Sequence, residues 1–305
     1  VINGLVLSKN RASQLRLLLE SIKLNANNFF SEINIVYTFS DEKYKEGYEK
    51  LKSEKILKNL IWKEEENFVQ DFLDSLQSCK TKYICGIVDD CIFYKRVPLS
   101  SGQVCSIIDS DDNIFCFSLR LGLNTYIQNH ITQTYMPLWT IENPLPPSRN
   151  LSSEDMLLRR GYAESPSCLA WNWSERNWTS NYGYPISLDG HIYRSEEMYK
   201  LSSSIKNGEQ GINNLRHWES QLAKNIIHMT QKVKMASFKQ SCVVCSANNC
   251  VQDPPMVSGA IHPFSEQKLN DMYLNDGVID IEQMEIEFQN INSAHTEFSF
   301  RFKRL

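Results

Sequence analysis

No stretch of this sequence approaches the ~18 or more apolar residues that a membrane span needs, so a spanning protein is not expected. Positive charge is not in surplus either. Thirty-two Lys and Arg stand against 36 Asp and Glu, a formal net charge of −4. Phosphate-backbone affinity needs clustered Lys and Arg, which removes nucleic acid from the expected partners. Repeats, low-complexity segments and a clean linker are all missing, so a collagen-like chain or a string of separate modules is excluded. No glycine-rich, lysine-containing phosphate loop follows the first strand-like segment, which argues against nucleotidyl transfer. Nor does an apolar leader open the chain. Val1 without an initiator Met marks a fragment or processed form, which leaves room for a leader already removed. The expected location is cytoplasmic or peripheral to a membrane, or secretory if there was such a leader.

What is present is the profile of a globular protein. Over 305 residues, 42% are hydrophobic and 22% charged, enough for one or two domains with a sizeable core. The nine cysteines are too dilute for a disulfide scaffold. Most sit in apolar runs such as Tyr83–Val88 and Phe115–Phe117, where a free thiol packs as a small hydrophobe. Cys242-x-x-Cys245, followed by Cys250, has the spacing of a zinc pair but reads equally as a strand end. Asn150, Asn172 and Asn177 open glycosylation sequons that chance alone produces.

The first 120 residues alternate strand and helix. Asn3–Ser8 is a buried strand, and Leu15, Leu18, Leu19 and Ile22 recur at helical spacing behind it. Ile33–Tyr37 is a second strand. A helix follows over Asp41–Leu57, with Ser40 as its N-cap. Ile61-Trp62 is a third strand, and Phe68, Phe72, Leu73 and Leu76 mark a helix face. Tyr83–Val88 is a continuous apolar run, as a central parallel strand covered on both faces requires. The series implies an α/β fold around an open, mostly parallel sheet. Afterwards the rhythm loosens. Thr134–Pro147 reads as a proline-rich excursion, Tyr184–Tyr193 as strand, turn, strand, and Ser195–Ile205 and Asn214–Ile227 as helices. A helix near Glu266–Leu274 and short strands near Val278–Ile281 and Phe298–Phe302 close the chain.

Chemistry concentrates at Asp89-Asp90, where the buried fourth strand ends. Ligands of open α/β sheets bind outside the carboxyl ends of strands. Two adjacent acids there either start a turn or hold a hard divalent cation carrying a diphosphate.

These segments resemble the GT-A glycosyltransferases, a nucleotide-sugar-dependent family with a Rossmann-like donor half. Leu5–Arg11 is similar to the family's opening strand and loop, Ile35–Asp41 to its second strand and base-binding turn, and Phe68–Cys91 to its helix, strand and acidic motif. Trp173, Tyr184–His191 and Phe264–Asn270 resemble polysaccharide or lipopolysaccharide-type members. The resemblance implies one catalytic domain over 1–305, with a nucleotide-sugar-binding half in 1–120 and an acceptor-binding half in 121–305. It implies transfer of a sugar from a UDP- or GDP-type donor to a glycan or glycoconjugate hydroxyl, assisted by Mn²⁺ or Mg²⁺ and more in keeping with inversion. The alternative is a glycan- or nucleotide-sugar-binding protein of the same fold without turnover.

Carried over residue by residue, Ser8, Arg11, Asp41 and Asp89 would meet the nucleotide sugar, and Asp90 the metal. The family's third acidic position is Cys91 here, which puts metal dependence in question, because a thiolate is a soft ligand for such ions. A late His completes the metal or diphosphate site in this family, and His262 is the candidate. Proton transfer from the acceptor needs a carboxylate or His; Asp189, in a turn with Gly190, stands first and Glu219, on a helix, second. Trp173 and Trp178 suit stacking on an acceptor sugar or core packing. His191 either positions the acceptor or satisfies a backbone group.

Overall fold

The computed structural model describes residues 1–129, 134–135, 168–176, 180–206, 214–250 and 258–305. Its opening series is β1 (Ile2–Lys9), α1 (Ala12–Asn25), β2 (Phe30–Thr38), α2 (Glu42–Glu54), β3 (Leu60–Glu64), α3 (Phe68–Gln77) and β4 (Tyr83–Val88). Then come β5 (Cys91–Phe93), α4 (Ser101–Asp109), β6 (Ile114–Ser118), β7 (Ile127–Asn129), β8 (Thr134–Tyr135) and β9 (Cys168–Asn172). The last part holds β10 (His191–Arg194), α5 (Ser195–Lys206), α6 (Leu215–Met229), β11 (Lys234–Phe238) and β12 (Val243–Ser246). It ends in α7 (Glu266–Leu274), β13 (Gly277–Ile279), α8 (Glu285–Phe288), β14 (His295–Thr296) and β15 (Phe302–Arg304). The α/β class and open mixed sheet expected from the sequence are what the chain adopts.

The main sheet runs β3-β2-β1-β4-β10-β6-β11-β9. β1 to β4 are mutually parallel, β10 is antiparallel to both β4 and β6, and β9 is antiparallel to β11. Period-two alternation sorts each strand's side chains between two layers. On β1, Ile2 and Val6 enter the core with Leu15, Leu18 and Ile22 of α1, Tyr48 of α2 and Ile108 of α4. Leu5 and Leu7 face the opposite core with Phe72 of α3, Met198 of α5 and Trp218 and Leu222 of α6. A second sheet, β14-β12-β5, packs beside them, and Ile92 and Val244 from it join a third core with Leu17 and Phe298. No helix among the described residues is long and apolar enough to cross a membrane.

Two local expectations change. Helix α2 is capped by Asp41, whose carboxylate accepts from the Tyr44 amide, and not by Ser40. The reason is that Ser40 is taken: its hydroxyl accepts from Asn10 Nδ2 and its amide donates to Asn10 Oδ1. In the second change, Tyr184–Leu188 forms no strand, because both edges of β10 are already occupied by β4 and β6. Instead, Tyr193 Oη donates toward the Pro185 and Ser187 carbonyls and accepts from the Ser187 amide. Trp178, Asn150, Asn177 and most of Thr134–Pro147 lie outside the described residues. Asn172 ends β9, its side-chain oxygen accepting from Ser174.

Close approach at Gly86 of β4 seats the segment that carries Asp189. A Cβ there would lie 2.3 Å from Leu188 Cδ2 and 3.0 Å from Leu188 Cα, while the Gly86 carbonyl accepts from the Gly190 amide. Gly86→Ala is therefore expected to lower stability by about 1–3 kcal/mol through overpacking. Chemical denaturation of the purified variant measures it, and an unchanged midpoint would count against this packing.

Candidate active site

From β1 the chain steps outward to β2 and β3, then returns to lay β4 on the other side of β1. The C-terminal ends of β1 and β4 thus form the switch point where open sheets bind ligands. Lys9-Asn10-Arg11 leaves one strand there and Asp89-Asp90 leaves the other. Asn10 takes a left-handed conformation, φ 60°, which a short polar side chain tolerates. That turn brings Arg11 back over the strand ends.

Arg11 is the centre of the first cluster. Its Nη1 donates to Asp89 Oδ1 at 3.0 Å and Asp90 Oδ2 at 2.8 Å, and its Nη2 to the Asn249 carbonyl at 2.7 Å. Asp89 also accepts from the Ser8 hydroxyl at 2.8 Å and the Lys9 amide at 3.1 Å, and Ser8 in turn bonds Tyr48 Oη. Burial opposes the Arg11 charge, yet the two carboxylates outweigh it and hold its pKa above the usual value. Burial likewise pushes Asp90 up to about 6, Arg11 opposing and Asp89 and Asp189 adding to the rise. Asp89 shifts in the same direction, from burial against Arg11.

A second cluster faces the first. Asp189 Oδ2 accepts from Arg120 Nη1 at 2.8 Å and lies 3.5 Å from His295 Nε2. Burial works against its charge, but Arg120, His295 and His191 prevail and hold its pKa well below the usual carboxylate range. Glu219, half-buried on α6, accepts from the Leu188 amide at 3.1 Å. Burial and then the Asp189 charge raise Glu219 to about 8. Two carboxylates with pKa values pushed apart are the arrangement that separates a proton-exchanging group from a permanently ionised one.

The other candidates are placed as follows. Asp41 is exposed at the α2 N-terminus. His191 is fully buried on β10, its Nδ1 3.3 Å from Tyr193 Oη and its Nε2 without a partner. Burial and then Arg120 lower it to about 3, so the ring is neutral. Trp173 is buried, its indole donating to the Lys232 carbonyl. His262 is half-buried in a loop tied by its amide to Glu297 and by its carbonyl to Asn248. Among the described residues, the groups of potential metal ligands are Asp90–Cys91–Cys245 and Asp189–Cys245–His295, with atoms within 4.8 Å of one another in each. Neither contains His262 or Cys242. Asp90 supplies one hard oxygen of the kind Mg²⁺ or Mn²⁺ takes alongside substrate phosphates, while the other two members of its group are thiols.

Arg120 and His295 are the residues that sequence reading passes over. Arg120 follows directly on the β6 run, the same signal that singles out Asp89-Asp90 after β4. For His295 nothing local stands out.

No family model matches the chain, and no curated protein matches it in sequence. Among solved structures it is similar to S. aureus TarS 1–349 in complex with UDP, at 11% identity and TM-score 0.44, covering 80% of this chain and 59% of that one. It is similar to GalNAc-T7 with UDP, GalNAc and Mn²⁺, at 15% identity and TM-score 0.43, covering 94% of this chain and 50% of that one. It is also similar to a 4-diphosphocytidyl-2C-methyl-D-erythritol synthase from Anaerococcus prevotii, at 10% identity and TM-score 0.38, covering 79% and 88%.

Proposed function

We propose that the chain is a glycosyltransferase moving a sugar from a nucleoside-diphosphate donor to a hydroxyl of a glycan or glycoconjugate. The observation that carries this reading is the Asp89-Asp90 pair at the β1/β4 switch point, Asp89 buried and Asp90 half-buried, closed by Arg11 and faced by the Asp189–Glu219 pair. In this reading residues 1–120 hold the donor and the later residues shape the acceptor side, whereas Trp173 and His191 are buried and serve packing there. Ser8, Asp41 and Asp89 bind the nucleoside. Arg11 offers a guanidinium that pairs with diphosphate oxygens bidentately. Asp90 holds Mn²⁺ or Mg²⁺, which supplies charge stabilisation to the leaving diphosphate. Glu219 takes the proton of the attacking hydroxyl, while Asp189, kept ionised by Arg120, stabilises positive charge developing at the anomeric carbon. A base acting directly on the acceptor supports inversion by single displacement.

Arg11 closing on both acids is the feature that favours the second reading, a binder without turnover. Binding and turnover separate the two. With Mn²⁺ present, one or more UDP- or GDP-sugars should raise the melting temperature, since a ligand at 100 times its Kd stabilises by about 2.7 kcal/mol. Asp90→Asn should abolish the metal-dependent part of that shift. If no donor is bound or hydrolysed by wild type and Asp90→Asn changes nothing, the transferase reading fails. Binding with no turnover selects the second reading.

A further inference from the structure

The thiols of Cys91 and Cys245 have no role in the proposed chemistry, and they meet each other. Cys91 on β5 stands directly opposite Cys245 on antiparallel β12. The hydrogen bonds on either side define the kind of position this is. The Ser246 amide donates to the Asp90 carbonyl at 2.7 Å, and the Tyr94 amide to the Cys242 carbonyl at 3.0 Å. Opposed residues of an antiparallel ladder alternate between hydrogen-bonded and non-hydrogen-bonded pairs. With Asp90–Ser246 and Tyr94–Cys242 bonded, Cys91–Cys245 is a non-hydrogen-bonded pair. Backbones run closest there, with Cα atoms about 4.5 Å apart, inside the ~4.4–6.8 Å that a disulfide spans. The two sulfurs are already 3.4 Å apart. Cys242, despite its suggestive spacing, is placed otherwise: its Sγ lies 3.9 Å from the Arg96 and Gln240 carbonyl oxygens.

We propose that Cys91 and Cys245 become joined by a cross-strand disulfide when the chain folds in the presence of a small disulfide oxidant of the glutathione class. One cysteine thiolate attacks the oxidant's sulfur–sulfur bond, forming a mixed disulfide and expelling one oxidant thiolate. The second cysteine thiolate attacks that mixed disulfide, forms the Cys91–Cys245 bond and expels the other. The two cysteines are oxidised by two electrons in all. The oxidant is reduced to two thiols, which take up the two protons that the cysteines released. In the closed fold both thiols are buried, and burial pushes both above their ordinary pKa. The exchange therefore belongs to the stage at which β5 and β12 pair. Once made, the bridge ties the strand that leaves Asp90 to the strand that leads to Asn249, whose carbonyl accepts from Arg11 Nη2. It also joins residues 154 apart in the chain, and closing a long loop restricts the unfolded chain strongly.

The full chain, unfolded and reduced, is refolded in a buffer of oxidised and reduced glutathione, alkylated, and mapped by peptide mass spectrometry without reduction. Where refolding fails, cell-free synthesis in the same buffer supplies the folded chain. The product should lack two hydrogens, keep all but two of its nine cysteines open to alkylation, and yield a peptide linked through Cys91 and Cys245. Its melting temperature should stand several degrees above that of the same chain folded under a phosphine reductant. That gap should vanish in Cys91→Ser and in Cys245→Ser and persist in Cys242→Ser. Where a Ser variant does not fold by circular dichroism, the wild-type peptide map decides alone. A folded wild type whose Cys91 and Cys245 both remain alkylatable after the glutathione treatment overturns the proposal. So does a bridge from either of them to another cysteine, such as Cys85 or Cys242. No sugar donor enters the readout, so the bridge stands or falls independently of the transferase reading.

Discussion

Replacing Arg11 with Ala is expected to lower the unfolding free energy by about 3–5 kcal/mol at neutral pH, the usual cost of stranding a buried charge. Arg11 and Asp89 side chains are only 6% and 4% exposed. Asp89 keeps the Ser8 and Lys9 donors when Arg11 is gone. Asp90 loses the guanidinium that holds its Oδ2. The pH dependence has a definite sign. Asp90 titrates at about 6 in the fold against an ordinary 3.8, so the native state holds the extra proton between those values. Its contribution to stability is therefore full below the unfolded pKa and is lost as pH rises through about 6. Without Arg11 the folded pKa climbs further, so the deficit should be large at pH 7 and shrink toward pH 4. Urea denaturation of both proteins across that range measures it, with Asp90→Asn added to Arg11→Ala expected to recover part of the loss. A deficit that is the same at every pH would contradict the assignment.

Replacing Glu219 with Gln is expected to reduce the transfer rate by about 10²–10⁴-fold, the range for losing a general base, with donor binding retained. In wild type, kcat should rise with pH to a plateau above about 8, because Glu219 must shed its proton to act. Asp189→Asn should move that midpoint to lower pH, since removing a neighbouring negative charge favours ionised Glu219. A merely structural role for either carboxylate would alter stability and leave the profile where it was. Full transfer by Glu219→Gln, or a pH profile untouched by Asp189→Asn, would return the base role to another group.

The two clusters differ in how far local sequence reveals them. Asp89-Asp90 is visible because a six-residue apolar strand, Tyr83–Val88, ends on it, and strand ends are binding positions in this class of sheet. Ser8 and Arg11, at the end of β1, are pointed to only by the family resemblance. Asp189 and Glu219 stand out only as acids in polar contexts, with nothing local to join them. His295 is invisible until β14 pairs with β12 and brings it beside Cys245. The zinc-like spacing of Cys242 and Cys245 points along the chain, whereas the structure pairs Cys245 sideways with Cys91, 154 residues away.

By itself, the sequence determined the α/β alternation through β4 and the buried faces of α1 and α3, because strand and helix periods are written in short-range hydrophobic spacing. Tertiary structure alone decided that Tyr184–Leu188 forms no strand, that Ser40 serves Asn10 instead of α2, and that Arg120, Asp189, Glu219 and His295 converge opposite Asp90. Those outcomes depend on which strand edges are already taken and on registers between segments far apart in the chain, and no local spacing carries that information.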